Sequence, residues 1–338
     1  MHRSGIKNLL IVSASITFVV CSALYLSSCV PSYPKEKLPE AIREVCRIEY
    51  EMTVDAALSG STLGIYYPMK GLLDVNLGIS KEAWDKISNL ILVASRVVLS
   101  TDADVKFYCV ITQDEKLPEM QVVVIKYVDD IKRGMYRNIS RDESFKRTLF
   151  SVNLTPQARK ERAVEKIFNK LGLEEKTRES VLNEFFRSAP TKLSDIGYWR
   201  EHFYLKDISM EEFLVAQIVN RIKIDFRRDE ELKKFYSYKS AEGDFYAEKD
   251  KRFFLIKFKI ADQQESDEEI NLREKKIAEI VRIANRVLTG YKFKNFDFME
   301  MEDLLANVKL WVSSSDIYNF TEEDLPIKDI VKTSAKYF

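Results

Sequence analysis

The sequence predicts an α+β fold made of two strand–strand–helix–strand–strand units related by internal duplication, with a helical insert between them. Three observations carry this reading. From Ile48 the residues alternate, with Ile48, Tyr50, Met52, Val54, Ala56 and Leu58 on one face and Glu49, Glu51, Thr53 and Asp55 on the other, the pattern of a half-buried strand. Further on, Trp84, Ile87, Ile91, Ala94 and Val98 recur at helical spacing. The same order of elements then returns in the second half of the chain, where Ala284-x-Arg286-Val287 answers Ala94-x-Arg96-Val97.

The first unit is expected over residues 39–150. Ser59-Gly60-Ser61 turns the opening strand back into Thr62 to Tyr67, which makes a hairpin. Ser80 is placed to cap the helix, and strands Val105 to Thr112 and Gln121 to Val128 follow it. Residues 151–236 read as the helical insert. Thr155-Pro156 starts a helix that Gly172 stops, Val181, Leu182, Phe185 and Phe186 mark a second, and Ser209 with Glu212 has capping-box spacing before a third through Phe213, Ile218 and Ile222. The second unit covers residues 237–338, with a weak strand near Asp244 to Glu248 and a clear one from Arg252 to Ile260. After its helix, Phe296 to Met301 repeats Phe107 to Thr112, Asp303 stands where Asp114 stands, and Val308 to Val312 forms the last strand.

The N-terminus carries an address. Arg3 and Lys7 give a basic start, and Leu9 to Leu26 is uncharged and mostly apolar, the layout of a secretory signal. It ends in Leu26-Ser27-Ser28-Cys29, which resembles the lipobox of bacterial lipoproteins. Cys21 does not fit, because Phe18-Val19-Val20 puts bulky residues where the cleavage enzyme needs small ones. The resemblance implies a signal peptide over residues 1–28, lipidation of Cys29 and a lipidated linker over residues 29–38. It also implies an exported body held at the membrane of the cell envelope by several acyl chains such as palmitate. An uncleaved transmembrane anchor is the other reading, since Leu9 to Val30 is long enough to span a bilayer.

Composition narrows the partners. Removing residues 1–29 takes two of the 53 Lys and Arg and none of the 53 Asp and Glu. The balanced body therefore has no electrostatic footprint for nucleic acid. With 46% hydrophobic and 12% aromatic residues it can bury ordinary cores. Cys46 and Cys109 share strand-like parity with inward residues, so in an exported protein they are candidates for a disulfide, or else two buried small hydrophobes.

Catalytic chemistry is sparsely encoded. His202 is the one histidine of the body, which excludes a multi-histidine zinc site, and no phosphate or dinucleotide glycine pattern is present. No cofactor and no metal site is expected. Asp102-x-Asp104 and Asp129-Asp130 are paired carboxylates but read as caps and turns, and Asp74-x-Asn76-x-Gly78 reads as a turn. The densest mix of aromatic and ionisable residues is Asp195 to Tyr204. That density fits internal packing between helices, and Tyr198, Trp199, Arg200 and His202 are also candidates for contact with a partner. The expected function is a non-catalytic, lipid-anchored binding or scaffolding module for an envelope protein or polymer. The alternative is a membrane-anchored periplasmic hydrolase with its acid–base groups at Asp195, Glu201 and His202.

Overall fold

The computed structural model describes residues 33–74, 78–155, 158, 190, 192–199, 201–263 and 269–320, and has a mixed α+β architecture. The lipobox, Cys21 and Cys29 lie outside these residues, as do Asn76, Arg200 and the expected helices within 159–189. Among the described residues no helix is long and apolar enough to cross a membrane.

The chain enters through Tyr33, which bridges Thr101, and a 3-10 turn leads to helix α1 (Leu38–Tyr50). This helix corrects the expected strand from Ile48. Leu38, Ile42 and Cys46 recur every four residues and are fully buried, whereas Ile48 is 60% exposed. Pro39 stands in the first turn and Glu51 ends the helix with a left-handed φ of 55°. Cys46 and Tyr50 fit both a two-residue and a four-residue period, and the preceding Leu-x-x-x-Ile-x-x-x-Cys spacing decides for the helix.

The first sheet contains β1 (Asp55–Ser59), β2 (Thr62–Met69), β3 (Phe107–Asp114), β4 (Met120–Tyr127) and β5 (Leu149–Leu154), in that spatial order. The parallel β2–β3 pair requires a crossover, supplied by α2 (Lys81–Val98). Ser80 accepts from the Ala83 amide at its N-terminus, as expected. Two short helices, α3 (Val128–Met135) and α4 (Arg141–Lys146), connect β4 to β5.

A small hairpin, β6 (Gly197–Trp199) with β7 (His202–Tyr204), precedes α5 (Met210–Arg228) and α6 (Glu230–Phe235). The expected Ser209–Glu212 capping box is formed. The second sheet has the order β11-β10-β9-β8, from β8 (Tyr236–Glu248), β9 (Lys251–Asp262), β10 (Phe298–Asp303) and β11 (Val308–Ser313). Helix α7 (Glu269–Tyr291) makes its crossover and α8 (Ser314–Tyr318) follows β11. The strand expected to be weak near Asp244 is 13 residues long. Its half-polar face hides it in the sequence, and pairing with β9 along its length secures it.

The two sheets share order, strand direction and register. The offset of 189 residues that carries the pair Asp55 and Tyr66 to Asp244 and Leu255 also carries Met69 and Asp114 to Phe258 and Asp303, again a pair. The correspondence extends one helix further than the sequence reading placed it. Arg96 of α2 pairs with Glu49 of α1 at 2.5 Å, and Arg286 of α7 pairs with Asp225 of α5 at 2.8 Å. Helix α5, read as part of the insert, thus stands beside the second sheet's helix as α1 stands beside the first's.

Two cores result. One lies between α1, α2 and one face of the first sheet, and includes Ile42, Ile65, Leu90 and Val110. The other joins the opposite face, through Phe107 and Ile111, to Phe213 and Ile218 of α5, Ile280 and Ala284 of α7, and Phe254 and Ile256 of the second sheet. Helix α5 reaches β8 closely at Gly243, where a Cβ would stand 2.3 Å from Val215. The stretch 151–236 is therefore not a purely helical insert, since β5 completes the first sheet and β6–β7 pairs alone.

Cys46 and Cys109 are both free and buried, one in each core. Of the two readings, that of buried small hydrophobes holds and no disulfide is formed, because Cys46 lies on α1 on one side of the first sheet while Cys109 points to the other. Burial pushes the Cys46 thiol up to about 11 and raises that of Cys109 further, which leaves both as packed small hydrophobes with little thiolate.

Candidate functional site

The hairpin β6–β7 lies against the first sheet, and a cleft of about 600 Å³ opens where they meet, lined by Asp55, Tyr66, Gln113, Tyr198, Trp199 and Glu201. Each part has a local cause. Asp55 opens β1, Tyr66 is paired with Ile111 in the parallel β2–β3 ladder, and Gln113 stands two residues beyond Ile111 on β3. Glu201 occupies the hairpin turn with a left-handed φ of 63°.

The hairpin is held by one buried amide. Gln121 accepts from the Tyr198 backbone N–H at 3.1 Å and donates to the Tyr198 carbonyl at 2.5 Å. Ring packing adds to this, for Tyr198 stacks on Tyr66 at 3.6 Å between centroids and meets Phe203 edge-on at 5.0 Å. Gly64 makes room for Phe203, whose ring carbon would stand 3.0 Å from a Cβ. Further along, Asp207 accepts from the Ser61 amide at 2.8 Å and hydroxyl at 2.7 Å, pinning the chain to the β1–β2 turn. Gln121→Leu is expected to cost about 2–3 kcal/mol by leaving both Tyr198 backbone groups unpaired. Urea unfolding with amide exchange at residues 197–204 checks this, and unchanged protection there would contradict it.

The cleft is electronegative and its protons are in use. The Tyr198 hydroxyl donates to Asp55 at 2.5 Å and the Tyr66 hydroxyl donates to Gln113 Oε1 at 2.8 Å. Burial, with Asp55 and Glu115 nearby, pushes the Tyr66 phenol up to about 12. Burial and the hydrogen bond to Asp55 raise Tyr198 further. Both phenols therefore stay protonated at neutral pH.

Of the residues singled out from sequence, Tyr198 and Trp199 line the cleft. His202 is exposed and pairs with Trp199 at the turn end of the hairpin, while Asp195 lies beyond the other end, before Gly197. An acid–base set of Asp195 with His202 is therefore not assembled. The Asp pairs are separated too. Asp102 accepts from the Lys35 amide, Asp104 faces Lys106 and Asp129 faces Lys132. Asp74 closes its turn on the Gly78 amide at 2.9 Å. Among the described residues no group of three or more His, Cys, Asp or Glu side chains could hold a metal ion.

Asp130 proves to be the centre of a second polar cluster, where the first sheet's helices meet α5 and α7. Its carboxylate, fully buried, accepts from Arg147 at 2.9 Å and from the Tyr291 hydroxyl at 2.6 Å. Arg147 also donates to Glu143 at 2.7 Å and lies over the Tyr291 ring at 4.6 Å, and Glu143 accepts from Arg221 of α5 at 2.9 Å. Asp55, Tyr66, Gln113 and this cluster were not legible as sites, because their members are far apart in the chain and each reads as an ordinary strand or helix residue.

No protein-family model matches this chain, and no curated protein or solved structure matches it.

Proposed function

We propose that this chain is a lipid-anchored bacterial cell-envelope protein, exported and held by Cys29, that works as a non-catalytic binding or scaffolding module for an envelope protein or polymer. Its ligand site is the cleft beneath the β6–β7 hairpin. The observation that supports this is the lining itself: three aromatic rings and two carboxylates on a rigid sheet-and-hairpin frame, with the one body histidine outside it. Such a surface recognises and holds, whereas the separation of Asp195 from His202 leaves a hydrolase without its assembled acid and base.

Two measurements test the proposal. A photoreactive residue at exposed position Glu201 is expected to crosslink one envelope species in cells, and the same residue at exposed Lys249 is expected to crosslink none. Equal, unspecific crosslinking from both positions, together with a hydrolase activity lost in His202→Ala, would sink the binding reading. For the address, Cys29→Ala is expected to abolish palmitate labelling and signal processing. Absence of labelling in the unaltered protein, with stable membrane retention, would favour a transmembrane anchor at residues 9–30.

A further inference from the structure

This inference rests on the reading that the N-terminal segment holds the chain at a membrane, and it concerns the part of the body that meets that membrane. Either form of the anchor, a lipid on Cys29 or a span over residues 9–30, ends within a few residues of Tyr33. Tyr33 is fixed in turn, since its amide donates to the Ser100 carbonyl at 3.2 Å and it bridges Thr101. Ser100 follows the last turn of α2. From Thr101 the chain reaches Lys106 in five residues, and the Lys106 amide donates to Ser61 of the β1–β2 turn at 2.8 Å. The tether thus joins the end of the first sheet at which β2 and β3 begin.

The α3–α4 connection starts and finishes at that same end. The Val128 amide donates to the Lys106 carbonyl at 2.8 Å where α3 leaves β4, and the chain returns at Leu149, which pairs with Ile125. Between these points stand three of the four most exposed large apolar side chains among the described residues, Met135 at 68%, Tyr136 at 77% and Phe145 at 58%. Helix α3 closes on Arg137, at a left-handed φ of 57°, with Arg137 donating to the Gly134 carbonyl and Asn138 to that of Arg133, a position that glycine usually fills. Gly134 lies against α4, where a Cβ would stand 3.8 Å from the Ser144 hydroxyl. Met135 and Phe145, the next residue after each, are thereby brought to one corner.

The corner is also cationic. Residues 128–147 contain six Lys and Arg against four Asp and Glu. Every acid has its partner: Asp129 pairs with Lys132, Asp130 with Arg147, Asp142 with Lys146, and Glu143 with Arg147 and Arg221. The excess falls on Arg137 and Arg141, which are exposed and make no ion pair among the described residues. Apolar and aromatic tips among uncompensated cations suit the headgroup layer of anionic lipid. Five side chains make a weak contact on their own, but a short tether on the same end of the sheet supplies a high effective concentration of bilayer.

We propose that the corner formed by Met135, Tyr136 and Phe145 with Arg137 and Arg141 docks on the anionic surface of the bilayer to which the chain is tethered.

The test uses the full-length protein reconstituted with vesicles of phosphatidylcholine and phosphatidylglycerol in equal parts, or of phosphatidylcholine alone. A photoreactive residue replaces Tyr136 or, as the control, Ile48, which is apolar and exposed but stands near the far end of α1. Position 136 is expected to form a lipid adduct in the mixed vesicles and position 48 to form none. Arg137→Gln/Arg141→Gln, at two exposed positions, is expected to lower the yield at position 136 at least about five-fold, and salt is expected to lower it too. Flotation reads the tether separately. Protein that floats with the vesicles but gives no lipid adduct at position 136, or equal adducts at both positions, overturns the docking and leaves the anchor standing. Protein that floats with neither composition overturns both. Equal yields in the two compositions would overturn the anionic surface, and a single protein adduct from position 136 in cells, without lipid, would make the corner a protein interface instead.

Discussion

Asp130→Ala is expected to lower the stability of the fold by about 3–5 kcal/mol, the range for removing one partner of a buried ion pair. The carboxylate has no exposed surface, and Arg147, whose side chain is 8% exposed, would be left facing an apolar gap. The Tyr291 hydroxyl would lose its acceptor as well. Because Arg147 and Tyr291 come from different units, the loss falls on their junction. Urea titration checks the prediction as a lower midpoint with unchanged slope. Lys132→Ala, which breaks only the exposed Asp129 pair, is the control and is expected to cost under about 1 kcal/mol. Equal effects from the two variants would refute the assignment.

Acid should weaken the same junction. Burial works to raise the Glu143 carboxyl, but hydrogen bonds from Arg147 and Arg221 outweigh it and hold the group below its ordinary value. A lowered folded-state value means that the stabilisation is present above the unfolded value of about 4.3 and is lost as pH falls through the folded one. The Glu143 contribution therefore disappears on the acid side and is indifferent to alkali.

Lys276→Met is expected to have an effect of similar size, about 3–5 kcal/mol, although the variant keeps most of the apolar stem. Lys276 Nζ lies 3.1 Å from Asp303, 3.3 Å from Asp262 and 2.9 Å from the Ile260 carbonyl, and both Lys276 and Asp303 are 3% exposed. Asp303 occupies the place of Asp114, yet the two carboxylates are satisfied differently. Chain β2 stops at Met69 and turns at Gly71, with φ 67°, so that the Leu72 amide reaches Asp114 at 2.7 Å. Strand β9 instead runs on to Asp262, no such turn arises, and a lysine from α7 fills the gap. The companion variant Lys276→Met/Asp303→Leu should recover much of the loss, because it removes the stranded charge. A double variant no more stable than the single one would contradict this account.

The contrast explains how much of the molecule was legible. Strands, caps and the order of each unit follow from local periodicity, and Ser80 and Ser209–Glu212 cap as their spacing predicts. Helix α1 was missed because a two-residue and a four-residue period overlap at Cys46 and Tyr50. The cleft was half visible, since Tyr198 and Trp199 stand out by aromatic density. Its other half is tertiary: Asp55, Tyr66 and Gln113 become a site only when sheet register and the Gln121 clamp bring the hairpin to them. For the cysteine pair, parity indicated burial, which holds, but could not decide pairing, because it does not say on which side of a sheet an adjoining helix lies.

The Tyr33–Thr101 bridge has a geometric consequence for an anchored protein. From Cys29 to Tyr33 even a fully extended chain reaches only about 14 Å, a short leash that would keep the start of the fold against the lipid headgroups. Thr101 precedes the end of the sheet where Phe107 and Thr62 begin their strands, and Gln113 lies six residues further along β3, about 20 Å at strand rise. The cleft's Gln113 would thus lie most of a strand's length along β3 from the end that follows the Tyr33–Thr101 bridge in the chain.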